Sequence, residues 1–314
     1  METHRRPTII STDPGIDDAV ALAIASFSTA IDLKLIATVA GNVSVEKTTL
    51  NAQNLVGLFD KKIPIAMGSK KPLLRPIRDA SGVHGKTGMD GYDFSSLGTS
   101  TLVEKTAVEE MHNVIMNSPE PVTIVGIGPL TDIALLIHLF PEVKENIEEL
   151  VLMGGALGRG NFGVLSEFNF AIDPEAAKMV FESKLKIRLA PMEVARKVKI
   201  MPETSEKIKT FGNIGMMIYK LFSAYRGGSF QTGLNMYDAL AIGLILNPNM
   251  FTEVETYVDI ETSSTLTSGA SLIDLKGYLG QENNCFVAVD IDQDEFEKWF
   301  VEAISSTQSE EAGK

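Results

Sequence analysis

Three carboxylates fall close together in Ser11-Thr12-Asp13-Pro14-Gly15-Ile16-Asp17-Asp18, near the start of a 314-residue chain. Acids at this spacing repel one another unless a cation or a proton joins them. A hard divalent cation resolves the repulsion, and calcium, which takes about six to eight oxygens from carboxylates, carbonyls and water, suits the set better than magnesium. Neighbouring residues on a helix point about 100° apart, so Asp17 and Asp18 should have different tasks. The bland alternative makes Asp13 a helix N-cap with Pro14 at the first helical position, and leaves Asp17 and Asp18 to complement the helix dipole.

The elements that must hold these acids are legible on both sides. Thr8-Ile9-Ile10 reads as the end of a buried strand, and Ala19 to Ala25 as a helix with a broad apolar face. The acids therefore occupy a strand-to-helix turn, sharpened by Pro14 and Gly15, and in open α/β sheets ligands bind at such strand ends. Further strands are expected at Leu33–Ala40, Ile63–Ala66, Val122–Ile127, Leu150–Met153 and Lys186–Leu189, with helices at Val45–Phe59, Val103–Met116 and Thr131–Phe140 between them. Asp173-Pro174-Glu175 has the form of a cap followed by proline at the first helical position. Lys70 to Tyr92 reads as a long Pro- and Gly-rich loop carrying His84, a length that suggests a lid or binding segment. Helices follow to about Tyr225, and β-rich runs from Thr256 to Asp290 should add strands at one edge. The alternation predicts an α/β fold, a mainly parallel sheet covered by helices on both faces with a Rossmann-like core. One domain is expected over 1–314, with an ordered core of about 8–302 and an acidic flexible tail after Ser305.

Composition narrows the class. Apolar residues make up 44% and charged residues 22%, as in a globular protein, and the formal charge of -13 argues against nucleic acid, whose phosphates need clustered Lys and Arg. A lone cysteine, Cys285, excludes an internal disulfide and fits a reducing cytoplasm. No targeting segment precedes the first strand, and no run approaches the roughly 18 apolar residues of a membrane span. The dinucleotide fingerprint is absent after the first strand, where Gly15 stands alone.

The residues resemble the nucleoside hydrolase family, enzymes that cleave the N-glycosidic bond of ribonucleosides. The likeness rests on Thr12 to Ala19, Val39-Ala40-Gly41-Asn42, Val83-His84-Gly85, Gly128-Pro129-Leu130-Thr131, Met153-Gly154-Gly155, Glu167-Phe168-Asn169 with Asp173 to Ala177, and Met236-Tyr237-Asp238-Ala239. It runs from about Ile9 to about Phe300. Val39 to Thr49 and Gly91-Tyr92-Asp93-Phe94 look most like the broad-specificity bacterial ribonucleoside hydrolases. The resemblance implies calcium bound by Asp13, Asp18, Asp238 and the carbonyl of Ile127, with Asp13 as base toward water. It implies that Asp17 accepts from the ribose 2-hydroxyl, Asn169 and Asp238 hold the 3-hydroxyl, Asn161 and Glu167 the 5-hydroxyl, and Asn42 the surroundings of the ion. His84 and Tyr225 become contacts to the base, and Met153 and Phe168 pocket walls. A homodimer or homotetramer, acting in cytoplasmic nucleoside salvage, is implied as well.

Three departures stand near this pocket. Tyr237 replaces a histidine that protonates a departing purine in many relatives, and a phenol near pKa 10 matches neutral pH less well than an imidazole. Ser11 stands where an Asp usually supports the metal site, and Met192 to Arg196 replaces a stretch in which relatives have Asp and Thr. A nucleoside-binding protein with weak or lost turnover is therefore the alternative. A phosphatase of the haloacid dehalogenase type is disfavoured, because Ser11 occupies the place of its nucleophilic Asp.

Overall fold

A computed structural model describes residues 5–95, 100, 102–225 and 229–308. Of the tail expected after Ser305, residues 309–314 lie outside the described residues. The chain runs β1 (Arg6–Thr12), α1 (Ile16–Phe27), β2 (Ile31–Thr38), α2 (Val45–Phe59), β3 (Ile65–Met67), α3 (Ser81–His84), α4 (Ala107–Asn117), β4 (Val122–Gly126), α5 (Thr131–Leu139) and β5 (Ile147–Met153). It continues with α6 (Phe168–Ile172), α7 (Pro174–Phe181), β6 (Ile187–Ala190), α8 (Met192–Lys197), α9 (Pro202–Ile208), α10 (Gly212–Ala224), α11 (Ala239–Leu246), β7 (Phe251–Thr256), β8 (Val258–Ile260), β9 (Ser271–Ile273), β10 (Cys285–Ile291) and α12 (Gln293–Ser305).

Among the described residues the main sheet has the order β3-β2-β1-β4-β5-β6-β10-β7. Every pairing in it is parallel except β10 with β7, which closes one edge with an antiparallel strand. The predicted α/β architecture is what forms, but of the Thr256 to Asp290 run only β10 joins the main sheet; the edge strand β7 ends where that run begins, and β8 and β9 pair apart from the main sheet. Period-two alternation sends neighbours to opposite faces. Ile10, Ile36, Val125 and Val151 pack beneath α1, α2, α10, α11 and α12, whereas Ile9, Leu35, Ile124 and Leu150 pack beneath α4, α5 and α7. Because both faces are covered, the central strands are apolar throughout instead of alternating with polar residues.

The strand order reverses at β1. From it the chain steps outward to β2 and β3, then returns to β4 on the other side and moves on to β5 and β6. The ends of β1 and β4 thus bracket a topological switch point, the crevice in which ligands of open α/β sheets sit. The far edge is fixed by Arg188 on β6, which reaches past β10 to make a two-pronged ion pair with Glu253 on β7, Nε to Oε1 3.0 Å and Nη2 to Oε2 2.6 Å.

Two local readings need correction. α1 begins at Ile16 and is capped at Gly15, so Asp13 is not its N-cap; the Gly15 N–H donates to Asp18 Oδ2 at 2.9 Å instead. The Lys70–Tyr92 segment is not wholly irregular, since Ser81–His84 winds one short helix that ends in His84. Elsewhere, Asp173 caps α7 by accepting from the Ala176 N–H at 3.2 Å, with Pro174 at the first helical position. No helix among the described residues is long and apolar enough to cross a membrane.

Cys285 opens β10 inside the core, and burial pushes its thiol well above its ordinary pKa. The thiolate is the reactive form. A thiol reagent at pH 8 is therefore expected to leave the folded protein unlabelled and to label it fully in denaturant; rapid labelling without denaturant would contradict the packing of β10.

Candidate active site

β1 ends at Thr12 and delivers Asp13 to the mouth of the switch point. Asp13 Oδ2 accepts from the Asn42 backbone N–H at 2.7 Å, whereas Oδ1 is buried with no hydrogen-bond partner among the described residues. Two glycines make room for this carboxylate: a Cβ on Gly128 would lie 2.5 Å from Oδ1, and one on Gly41 would overlap Oδ2. Asn42 also donates through its side chain to the Asp13 carbonyl at 3.0 Å and to Asp18 Oδ2 at 3.2 Å. Asp18 is held further by Thr12 Oγ1, at 2.6 Å from Oδ1.

Asp238, immediately before α11, joins these acids from the far end of the chain. Asp17, Asp18 and Asp238 each offer an oxygen, and the three atoms lie within 4.8 Å of one another. This grouping includes Asp17, which the resemblance turned toward ribose. All four carboxylates are buried. Desolvation, then Asp18, raises Asp13 well above the carboxylate range, and desolvation followed by Asp17, Asp18 and Asp13 does the same to Asp238. Burial first raises Asp17 to about 6, and burial followed by Asp17 raises Asp18 to about 6. Such a cluster of hard oxygens, one of them without a partner, fits a divalent cation. Among the described residues the acids grouped closely enough to hold one are Asp17, Asp18 and Asp238, with Asp13 near enough to feel the charge of Asp18 and Asp17.

Around the acids lies a cavity of about 330 Å³. It is lined by Asp13, Asp17, Asn42, His84, Ile127, Met153, Asn161, Glu167, Phe168, Asn169, Tyr225, Tyr237 and Asp238. Every candidate catalytic, binding or metal residue from the sequence is thus brought to one place except Asp18, which is fully buried and does not line the cavity; nor do the departures Ser11 and Met192 to Arg196. Asp79, Ala80, Gly82, Val83 and Phe162 also line it. Of these the sequence reading had only Val83, as part of a motif. Phe162 carried a usable signal, an aromatic beside Asn161 in a Gly-rich loop, and its ring packs edge-on against Phe168 with centroids 5.8 Å apart.

The polar side chains of one wall are anchored by backbone. Glu167 caps α6, accepting from Asn169 N–H at 2.8 Å through Oε1 and from Gly155 and Phe170 N–H at 2.9 and 3.3 Å through Oε2. Burial outweighs these bonds and raises it to about 7. Asn169 donates to the carbonyls of Ile127 and Met153 at 3.2 and 3.1 Å, which ties α6 to the ends of β4 and β5. Asn161 Oδ1 accepts from Phe168 N–H at 2.8 Å.

The opposite wall is aromatic. Tyr225, just past α10, lies against His84 with ring centroids 5.5 Å apart. His84 Nδ1 accepts from the Ile16 N–H at 3.2 Å, so in the neutral ring the proton sits on Nε2. Burial lowers its pKa to about 4, against a smaller opposing pull from Asp18. Burial and Asp17 raise Tyr237, and burial followed by Asp17 raises Tyr225. Ser11, buried at the end of β1, has a hydroxyl without a partner among the described residues.

Fold and site together define an α/β protein with an acid-lined pocket at its switch point. Residues 8–298 match the inosine-uridine preferring nucleoside hydrolase family. The chain is 47% identical over 297 residues to the non-specific ribonucleoside hydrolase RihC of Salmonella enteritidis PT4, covering 95% of this chain and 97% of that one. The Salmonella typhi protein of the same name matches to the same extent. Among solved structures, an inosine-guanosine nucleoside hydrolase superposes with a TM-score of 0.87 at 26% identity, covering 97% and 99% of the two chains. The purine-preferring ribonucleoside hydrolase of Gardnerella vaginalis shares the fold with a TM-score of 0.89 at 22% identity, over 97% and 100%. The chain belongs to the inosine-uridine preferring nucleoside hydrolase family and is an enzyme of the N-glycosyl hydrolase class.

The neutral, buried state of His84 has a consequence for stability. Between pH 6.5 and about 4 the unfolded chain binds this proton and the folded chain does not, so the contribution is present above 6.5 and is lost as pH falls. Relative to His84→Gln, the wild type should lose up to about 3 kcal/mol between pH 7 and pH 4. Urea midpoints for the two proteins that run parallel across this window would contradict it.

Proposed function

We propose that the chain hydrolyses the N-glycosidic bond of ribonucleosides, pyrimidine and more slowly purine, to free base and ribose, using a calcium ion held by Asp13, Asp18, Asp238 and the Ile127 carbonyl. What carries the reading is Asp13: one oxygen is fixed by the Asn42 N–H, the other is buried without a partner among the described residues, and the residue lines the cavity. The donor set is all hard oxygen, which favours calcium over softer metals. When bound, the ion supplies Lewis acidity toward water and sugar hydroxyls.

Asp13 Oδ1 takes a proton from the attacking water, and Asn42 keeps the carboxylate from rotating away. The bond from the anomeric carbon to the base nitrogen breaks ahead of attack and its electron pair leaves with the base, which gains a proton to become the free base. Positive charge therefore builds on the sugar before the water oxygen bonds to the anomeric carbon, and surrounding carboxylates stabilise it more than the neutral ground state. Asp17 accepts from the 2-hydroxyl, Asn169 and Asp238 hold the 3-hydroxyl, and Asn161 and Glu167 the 5-hydroxyl, each contact adding a penalty for sugars that lack the group. Glu167 serves here as a fixed acceptor, because its oxygens are already steered by three N–H groups.

On the base side, His84 offers Nε2–H, while Tyr225 and Tyr237 remain protonated phenols. Their donors can bond to a leaving base, but a phenol raised by burial is a weak acid toward a purine nitrogen. Met153 and Phe168 give the pocket apolar walls. The broad activity named for the Salmonella relatives supports a wide tolerance for the base. The one continuous main sheet supports treating the chain as a single domain.

Three measurements test this reading. Ribose release from a nucleoside panel should fall by more than roughly a thousandfold in Asp13→Ala with circular dichroism unchanged. Chelation should stop release in the wild type, and added calcium should restore it and raise Tm; activity that survives either treatment would remove Asp13 or the ion from its role. In addition, kcat/KM should favour uridine and cytidine over inosine, with a further loss in Tyr237→Phe. Equal values for both base classes, unmoved by that substitution, would count against the assignment of Tyr237.

A further inference from the structure

α8 carries two charged side chains that turn toward the loop leaving β5. Glu193 accepts from the backbone N–H groups of Leu157 and Gly158, at 2.7 and 3.0 Å. Arg196 donates to the carbonyls of Arg159 and Gly160, at 2.8 and 3.2 Å. The two side chains stand one helical turn apart, 3.8 Å from each other. With the Met192 N–H donating to the Gly155 carbonyl at 3.1 Å, the backbone is tied to α8 repeatedly between Gly155 and Gly160. The next residues, Asn161 and Phe162, line the cavity; Glu193 and Arg196 do not. The end of α8 also anchors the segment that leads to Tyr237. Asn235 donates to the carbonyls of Ala195 and Val198 at 2.7 and 3.2 Å, two residues before Tyr237.

We infer that Glu193 and Arg196 are a positioning pair that sets recognition of the ribose 5-hydroxyl, by clamping the Gly155–Gly160 backbone so that Asn161 is held at the end of the sugar. The inference rests on the proposed ribonucleoside reaction and deepens it. A loop with glycines at 155, 158, 160 and 163 has more backbone freedom to lose than any other composition. Charge-assisted bonds from a carboxylate and a guanidinium, each gripping two successive peptide groups, remove that freedom before the substrate arrives. Only a planar fork can span both carbonyls, so lysine is an incomplete replacement for Arg196. Neither residue touches the substrate, and their effect should appear only where the loop makes contact.

The test compares kcat/KM for uridine and 5′-deoxyuridine in the full-length wild type, Glu193→Met, Arg196→Met and Arg196→Lys. Removing the clamp should cost roughly ten- to a hundredfold on uridine and less than about threefold on 5′-deoxyuridine, which has already lost the contact. Arg196→Lys should fall between wild type and Arg196→Met. In parallel, the Leu157 and Gly158 amides should be protected from hydrogen exchange in the wild type and lose protection in Glu193→Met. A wild type that hydrolyses uridine, with variants that lose equally on both substrates or not at all, overturns the assignment alone; so do unprotected Leu157 and Gly158 amides in the wild type. A wild type that releases no ribose from any nucleoside overturns the functional reading first and this assignment with it.

Discussion

Mutual repulsion among buried carboxylates is the constraint on which the rest of this structure turns. Asp13, Asp17, Asp18 and Asp238 are each almost wholly removed from solvent, and each is raised by burial, with neighbouring acids adding to the rise at Asp13, Asp18 and Asp238. No basic side chain forms an ion pair with any of them among the described residues. Hydrogen bonds from Thr12, Gly15 and Asn42 hold Asp13 and Asp18 in place without neutralising them. A fold that keeps this arrangement does so for a ligand that carries positive charge or comes to carry it, and both a bound cation and a ribosyl transition state meet that description.

The sheet explains why the acids can converge from such distant positions. β1 and β4 are adjacent in space though far apart in sequence, and their ends place Asp13 against Gly128, the residue after Ile127. α1 then returns Asp17 and Asp18 to the same point within its first turn, and α11 brings Asp238 through its packing on α1 and the strands. The pocket above divides by chemistry. Part of its lining is polar and fixed to backbone through Glu167 and Asn169, and another part is aromatic, from His84, Tyr225 and Tyr237. Polar contacts discriminate strongly because an unmet buried group is costly, whereas apolar and aromatic surface discriminates weakly. That division is what the proposed reaction asks for, strict toward a sugar and lenient toward a base.

Much of this was readable before any coordinates. Ile9 and Ile10, the apolar helix after Asp18, and the cap at Asp173 are local signals, set by side-chain periodicity and by backbone groups a few residues away. The likeness of short motifs to a known family supplied the long-range part, including Asp238, whose place no spacing rule could give. What escaped the reading was tertiary. The start of α1 depends on Asp18 bonding back to Gly15, which leaves Asp13 free to line the cavity and removes the less favoured reading of it as a helix cap. The short helix at Ser81–His84 forms within a segment whose Pro and Gly content argues for loop. Phe162 reaches the cavity only because the loop closes through the Phe162–Ser166 bridge. Glu193 and Arg196 registered as departures from relatives, and their bonds to residues 157–160 appear only once β5 and β6 lie side by side.

The central claim is that these acids form one site for one cation, and metal stoichiometry tests it most directly. Calorimetric titration of chelator-treated protein with calcium should give one ion per chain in the wild type and no measurable binding in Asp18→Asn or Asp238→Asn, each verified as folded. A wild type that binds no calcium, or variants that bind it as well as the wild type, would contradict the account.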